Sequence, residues 1–186
     1  HVTRSERTGF KAGALQYGLS LCPEAELCLI LDADFRPASD FALRLYDELL
    51  LYPELSLIQA RWSHRNEGDS LLCRLQAMAI DTHFSLEQPM RAWNGYFMNF
   101  NGTAGMWRVA AIHECGGWSS KTLTEDLELS YRAQMHGLRL GYTDAIACPG
   151  LLPESLEALR IQQFRWAKGS VQTAILWLPR ILCSDQ

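Results

Sequence analysis

Two acidic residues directly after an apolar run are the first candidates for chemistry in this sequence. The apolar residues 27–31 lead straight into Asp32 and, one residue later, Asp34. Side chains at positions i and i+2 of an extended chain point the same way, so both carboxylates can face one small volume. Their mutual repulsion is relieved by a proton or a cation, and a hard divalent ion can also carry phosphate oxygens. The spacing therefore indicates a divalent-cation site, with a solvated turn after a strand as the alternative.

A second pair of acids, Glu125 and Asp126, follows Thr124 at the predicted start of a helix. Acidic side chains are favoured at helix N-termini by the helix dipole, which explains the pair without any functional role. A carboxylate at a helix start beside a cleft is also well placed to act as a general base. Both interpretations stay open on these residues alone.

Gln162, Arg165 and Trp166 are spaced at i, i+3 and i+4, so a helix places them on one face. An arginine there can bind a phosphate through two parallel hydrogen bonds, while the indole ring lies against the apolar face of a sugar. The spacing thus suggests a sugar or diphosphate site. The alternative is an ordinary amphipathic helix with Trp166 in the core.

Two further regions are ambiguous by themselves. Lys11 lies near the start of an earlier predicted helix and is most simply a surface lysine. Residues 93–107 contain too many glycines for a helix and suit strands that pass close to a ligand. Within them, Asn101 and Gly102 could bind a ligand or serve the backbone alone.

Helices and strands alternate along the chain, which is the wiring of an α/β fold. The apolar run 27–31 predicts a strand buried on both faces of a mainly parallel sheet. Open α/β sheets bind ligands outside the carboxyl ends of their strands, which is where Asp32 and Asp34 lie. The predicted elements are helices at 9–21, 40–51, 69–87, 108–115, 122–137 and 155–174, strands at 26–31, 55–60 and 138–147, and a polar loop at 61–68.

Composition narrows the functional classes. The 186 residues suffice for one domain with a core, and the net charge of −4 argues against non-specific nucleic-acid binding, which needs a basic face. No Gly-x-Gly-x-x-Gly follows a strand, which disfavours a dinucleotide-dependent oxidoreductase. The six cysteines form no Cys-x-x-Cys pair and suggest free thiols in a reducing compartment. The sequence contains no run of 18 apolar residues, so it predicts no membrane span. Because the chain starts abruptly at His1, we expect it to be a fragment of a longer protein.

Taken together, the motifs are far more specific than any one of them. In this order and combination, the chain resembles the membrane-bound, processive family-2 glycosyltransferases: the cellulose synthase superfamily, with mannan and glucomannan synthases, and relatives such as ceramide glucosyltransferase. Residues 9–15 and 100–103 are most similar to the cellulose-synthase-like mannan and β-glucan branch. The stretches that carry the resemblance are Lys11–Leu15, Asp32–Asp34, Thr124–Asp126 and Gln162–Trp166.

The resemblance implies an α/β fold of the GT-A type, Rossmann-like, with a mainly parallel sheet flanked by helices. Residues 1–154 would be the catalytic core, truncated at its N-terminus, and residues 155–186 an amphipathic interface helix. The parent protein would be integral to a membrane, with this domain on the cytosolic face. The family has an earlier acidic motif and transmembrane helices that this sequence lacks, so we expect the fragment alone to be inactive.

The resemblance also implies a role for each motif residue. Asp32 and Asp34 would hold Mg²⁺ or Mn²⁺ and the nucleotide diphosphate, with Lys11 near the nucleotide and Arg165 facing the diphosphate. Asp126 would be the general base, with Glu125 beside it. The residues expected to bind the acceptor are Gln162, Trp166, Phe100, Asn101, Gly102 and Thr103.

The predicted reaction is inverting transfer of a hexosyl unit from UDP-glucose or GDP-mannose to a growing β-glycan. Single transfer to a lipid acceptor is the alternative within the enzyme class. A non-catalytic sugar-binding or assembly module is the alternative outside it. Intact Asp32, Asp34, Asp126 and Arg165 argue against the module, since losing any of them would suit that role.

Overall fold

The four strands form one sheet in the order β1-β3-β2-β4. The computed structural model describes residues 2–183, so residues 184–186 of the predicted interface segment and His1 lie outside the described residues. Helices cover the sheet, and no helix among residues 2–183 is long and apolar enough to cross a bilayer. The elements are α1 (Phe10–Ser20), β1 (Leu27–Ile30), α2 (Phe41–Leu51), β2 (Leu55–His64), α3 (Leu71–Thr82), a π-helical turn (His83–Glu87), α4 (Gln88–Trp93), β3 (Gly105–Arg108), α5 (Val109–Glu114), α6 (Glu125–Met135), β4 (Arg139–Gly150) and α7 (Leu156–Leu182).

The α/β fold is confirmed, but the sheet is more mixed than the sequence predicts. Strands β1, β2 and β4 run in one direction, and β2 and β4 pair in parallel. Strand β3 runs against them and lies between β1 and β2, so two of the three strand pairs are antiparallel. Apolar runs could not reveal this, because a buried strand has the same composition beside a parallel or an antiparallel neighbour.

The apolar run 27–31, predicted to be a strand buried on both faces, forms β1, and this part of the prediction is wrong. Leu27, Cys28 and Leu29 are only partly buried and Leu31 is exposed, because β1 is an edge strand with a neighbour on one side only.

The strand buried on both sides of the sheet is β2. Leu57 packs in the cluster that includes Trp107 and Leu129, while Ile58 packs against the opposite cluster under α2. Helix α2 has the predicted stripe, since Phe41, Leu45 and Leu49 are all buried. Side chains that alternate along β2 therefore pack against helices on both faces of the sheet. The carboxyl ends of the strands remain open for the site.

Strand β2 is longer than predicted. Residues 61–64, predicted as part of a loop, pair in parallel with residues 147–150 of β4 after a register shift at Ala60/Arg61. Arg61, Ser63 and His64 are polar, so this half-exposed end of the strand has no apolar alternation that would predict it. The extension brings Trp62 and His64 to the carboxyl end of the sheet.

The helices also differ from prediction at their ends. The predicted helix 69–87 begins at Leu71 and continues through the π-helical turn into α4. Helix α7 runs to Leu182, past the predicted end at 174, with Pro179 in its last turn. Proline removes one backbone hydrogen-bond donor from this end of the helix. The Trp177 indole N–H donates to buried Glu128 Oε1 at 3.1 Å, and this contact holds the end of α7 against α6.

Candidate active site

A cleft of about 650 Å³ opens at the carboxyl ends of β1, β2 and β4. Because β3 is antiparallel, the loop that precedes it arrives at this same edge, where the Ala104 N–H donates to Ile30 O at 2.8 Å. The cleft therefore collects residues that are far apart in the sequence. Its lining includes Lys11, Asp32, Asp34, Asn101, Gly102, Glu125, Asp126, Gln162, Arg165 and Trp166.

Lys11 connects three parts of the cleft. Its Nζ donates to Asp32 Oδ1 at 2.5 Å and to Gly102 O at 2.9 Å, and lies 3.9 Å from Glu125 Oε1. The interpretation of Lys11 as a plain surface lysine is therefore wrong. One cation here joins the end of β1, the loop before β3 and the start of α6.

Asp32 and Asp34 both line the cleft, as the i, i+2 spacing predicts. The Asp32 backbone N–H donates to Thr103 Oγ1 at 2.8 Å, which fixes the backbone at the point where β1 ends. Asp34 is exposed. Carboxylate oxygens suit a hard divalent ion, and Asp34 is open to receive one. Among residues 2–183 no three His, Cys, Asp or Glu side chains form a metal cluster.

Glu125 and Asp126 begin α6 and face the same cleft. Burial raises the pKa of Glu125, with a further increase from Asp32, and the charges of Lys11 and Arg165 oppose the shift. Burial and the adjacent Glu125 carboxylate raise the pKa of Asp126 to about 7, although the Leu127 N–H donates to its Oδ1 at 2.9 Å. A carboxyl group that titrates near neutrality is well suited to general base catalysis.

Gly102 allows the loop before β3 to approach Asp126 closely. Its φ is +84°, and a Cβ at this position would lie 2.5 Å from Asp126 Oδ2 and 3.5 Å from Lys11 Nζ. Any side chain would therefore displace the carboxylate. Glycine is required here both for the left-handed backbone and for the space.

Helix α7 presents Gln162, Arg165 and Trp166 to the cleft, as their spacing predicts. Trp166 is partly exposed and lines the cleft, so the core alternative for this ring is wrong. Arg165 lines the same cleft as Glu125 and Asp126, and its charge acts to lower the pKa of Glu125.

The start of α6 is attached to α7 by small side chains and hydrogen bonds. A Cβ at Gly169 would lie 2.6 Å from Thr124 Oγ1, so glycine allows the two segments to touch. The Leu123 N–H donates to Gln172 Oε1 at 3.0 Å, and the hydroxyls of Thr124 and Thr173 lie 3.4 Å apart. These contacts fix the acids relative to the Gln-x-x-Arg-Trp face.

Two of the predicted acceptor-binding residues do not reach the cleft. Phe100 is buried with its ring 5.9 Å from that of Trp107, and its N–H donates to Ser130 Oγ at 2.8 Å. Thr103 is also fully buried beneath Asp32. The prediction that these side chains line the cleft is therefore wrong, because the loop before β3 turns them into the core. Only Asn101 and Gly102 of that stretch line it.

The end of β2 adds lining residues that the sequence did not indicate. The Trp62 ring packs between those of Phe35 and Phe84, with centroid distances of 5.2 Å to each. The side chain of His64 is buried, and its Nε2 lies 3.0 Å from Asp81 Oδ1. The rule that places ligands at strand ends would have found both residues had β2 been predicted to reach residue 64.

The fold and the motif-bearing cleft define a GT-A-type glycosyltransferase domain. The chain superimposes on the mannosyltransferase PcManGT from Pyrobaculum calidifontis in complex with GDP-Man and Mn²⁺ with a TM-score of 0.67, covering 96% of this chain and 46% of that one. The two sequences are 21% identical, so this similarity concerns the fold.

Residues 27–184 match the family model for glycosyl transferase family group 2, and the chain belongs to this family. It is 44% identical over 171 residues to a probable glucomannan 4-β-mannosyltransferase 7 of Oryza sativa and 43% identical over 168 residues to glucomannan 4-β-mannosyltransferase 2 of Arabidopsis thaliana. It is 40% identical over 185 residues to glucomannan 4-β-mannosyltransferase 1 of Cyamopsis tetragonoloba. These matches confirm the resemblance to the cellulose-synthase-like mannan and glucomannan branch. They cover 91%, 89% and 98% of this chain but only 29%, 32% and 35% of the relatives.

Proposed function

We propose that this chain is the catalytic part of a glycosyltransferase that moves a mannosyl unit from GDP-mannose to a growing β-linked glycan. The observation that carries the proposal is the shared cleft, in which Lys11 links Asp32 to the acids that begin α6. The sequence left UDP-glucose and GDP-mannose open as donors. We favour GDP-mannose because the plant relatives at 40–44% identity are named as mannosyltransferases.

On the donor side, Asp32 and Asp34 would hold a Mg²⁺ or Mn²⁺ ion through their carboxylate oxygens. When bound, the ion supplies positive charge to the diphosphate. Arg165 lines the same cleft and would bind a phosphate through its planar pair of N–H groups. Lys11 neutralises Asp32 Oδ1 and keeps that carboxylate in place. Fixed positive groups of this kind stabilise the negative charge that develops on a leaving diphosphate.

On the acceptor side, Asp126 would take the proton of the attacking hydroxyl. The acceptor oxygen then bonds to the anomeric carbon, the bond from that carbon to the diphosphate oxygen breaks, and GDP leaves with the electron pair. A single displacement without a covalent enzyme intermediate inverts the anomeric centre, so an α-linked donor yields a β-linked product. Gln162, Trp166 and Asn101 line the cleft and would bind the acceptor sugar.

We also propose that α7 lies along the cytosolic surface of a membrane in the full-length protein. Its outer face exposes Ile161, Phe164 and Ile175 at 65–70% of their surface. Amphipathic helices of this kind bury an apolar face in the headgroup region. The described chain spans about a third of its plant relatives, so we expect it to need the rest of the protein for activity.

The donor and the product provide the test. The full-length protein in isolated membranes, given Mn²⁺ and labelled GDP-mannose, is expected to produce a polymer that β-mannanase degrades. Asp34→Ala is expected to abolish incorporation, while Asp47→Ala, which removes an exposed acid of α2, keeps it. Incorporation from UDP-glucose but not from GDP-mannose, or full activity of Asp34→Ala, would overturn the proposal.

The same preparation separates the alternatives. A mannosylated product that extracts into organic solvent, without polymer, would indicate single transfer to a lipid acceptor. A non-catalytic module would bind GDP without a metal and would retain that binding in Asp34→Ala. Calorimetry with GDP in the presence and absence of Mn²⁺ distinguishes this case.

A further inference from the structure

A chain of hydrogen bonds runs from the surface of the π-helical turn to the cleft. His83 Nδ1 lies 2.7 Å from Glu87 Oε2, and His83 Nε2 lies 3.2 Å from Asn101 Nδ2. Asn101 lines the cleft, whereas His83 does not. Turns of this π-helical type are rare and often occur at functional sites.

The donors and acceptors in this chain require a neutral imidazole. Gln88 Nε2 donates to Asn101 Oδ1, and it also donates to Asn99 O at 2.8 Å, which fixes the orientation of the Gln88 amide. The Asn101 NH₂ group must therefore face His83, where it can only donate. His83 Nε2 is then the acceptor, and the proton lies on Nδ1, which donates to Glu87.

Glu87 is held in its charged form by its neighbours. Burial acts to raise its pKa, but the hydrogen bond with His83 and the charge and hydrogen bond of Arg91 lower the pKa below its ordinary value. The Arg91 guanidinium lies 2.5 Å from Glu87 Oε1. Glu87 and Arg91 thus form an ion pair beside His83. On the imidazole itself, the Phe84 ring packs edge-on with a centroid distance of 5.1 Å. Charged Glu87 selects the Nδ1–H tautomer that Asn101 needs.

Protonation of the imidazole would break the link to Asn101. A charged ring carries N–H groups at both nitrogens, so Nε2–H would face the Asn101 NH₂ group donor to donor. Rotating the Asn101 amide does not help, because its NH₂ group would then face Gln88 Nε2. Asn101 can thus keep both partners only while His83 is neutral.

We infer that His83 is a positioning residue whose neutral imidazole fixes the Asn101 carboxamide for the acceptor. In this arrangement Asn101 retains one N–H and one lone pair of its amide, which match a pair of sugar hydroxyls. The inference rests on the proposed function, since it assigns Asn101 to the acceptor side of that site. It predicts an effect on acceptor binding and none on the donor.

The test compares His83→Gln, His83→Ala and His113→Gln in the full-length protein, with a β-1,4-linked manno-oligosaccharide as acceptor and GDP-mannose as donor. Glutamine can accept from Asn101 and donate to Glu87, and His113 is an exposed histidine of α5. His83→Ala is expected to raise the acceptor KM about fivefold, with the KM for GDP-mannose unchanged. His83→Gln should restore the wild-type acceptor KM, and His113→Gln should leave it unchanged.

An acceptor KM in His83→Ala equal to that of wild type would overturn the inference, as would a His83→Gln variant with the same loss as His83→Ala, or an equal change in donor and acceptor KM. A wild type that transfers no mannose contradicts the proposed function instead. In that case the affinity for mannotetraose, measured by calorimetry in wild type, His83→Ala and His83→Gln, decides the inference by the same comparison.

Discussion

Lys11 Nζ lies 2.5 Å from Asp32 Oδ1, although the two residues are 21 positions apart on different elements. The same nitrogen is 3.9 Å from Glu125 Oε1 at the start of α6. A single lysine therefore couples the acid pair assigned to the donor with the acid pair assigned to the acceptor.

Replacing Lys11 by methionine should affect both halves of the cleft. Asp32 loses its partner, so the KM for GDP-mannose should rise about tenfold or more. The Lys11 charge also lowers the pKa of Glu125 and of Asp126, so its removal should move the acid limb of the pH–rate profile to higher pH. Lys168→Met, at an exposed lysine of α7, is the control. An unchanged pH profile in Lys11→Met would contradict the coupling.

The rate of transfer should depend on pH through Asp126. Its carboxyl has a pKa of about 7 and must be ionised to accept a proton. The kcat should therefore be maximal above pH 7 and fall about tenfold for each pH unit well below it. Steady-state assays at saturating donor and acceptor measure this limb. A kcat that stays flat down to about pH 5 would exclude Asp126 as the base.

Gly102→Ala should inactivate the enzyme through a steric effect on Asp126. The new Cβ would lie 2.5 Å from Asp126 Oδ2, and we expect kcat to fall on the order of a hundredfold. Gly95→Ala is the matched control, because Gly95 has a similar φ of +76° but no neighbouring atom within 4 Å of the position that a Cβ would take. Equal losses in the two variants would attribute the effect to backbone strain rather than to the carboxylate.

Thr103→Val tests whether the buried threonine positions Asp32. Valine keeps the shape but leaves the Asp32 N–H without its acceptor, which should cost about 1–3 kcal/mol of unfolding free energy. The KM for GDP-mannose should rise with it, by about tenfold. Thr82→Val, at an exposed threonine of α3, should change neither quantity. A Thr103→Val enzyme with normal donor KM would remove this residue from the donor site.

The sequence predicted the side chains of the site better than the elements that bring them together. Asp32, Asp34 and the α7 residues share a cleft because strand-end and helix-face rules apply to each motif locally. The antiparallel direction of β3 depends on pairing between distant segments, which no local pattern encodes. For that reason the burial of Phe100 and Thr103 was missed, since their direction is set by how the loop enters β3.

The helical segment 71–93 illustrates a second limit. Apolar spacing predicts a helix at 69–87, but it predicts neither the π-helical turn at 83–87 nor the continuation into α4. The turn makes tertiary contacts, including the hydrogen bond between His83 and Asn101. Sequence periodicity alone does not contain that information.

The most direct measurement separates donor binding from transfer in Asp126→Asn. Asparagine preserves the shape of the side chain but cannot accept the proton, so mannose transfer from GDP-mannose should fall by about 10³-fold. The Kd for GDP-mannose with Mn²⁺, measured on the same preparation, should stay within about twofold of wild type because Asp32, Asp34 and Arg165 are intact. Transfer at the wild-type rate by Asp126→Asn would contradict the assignment of this cleft to glycosyl transfer with Asp126 as the base.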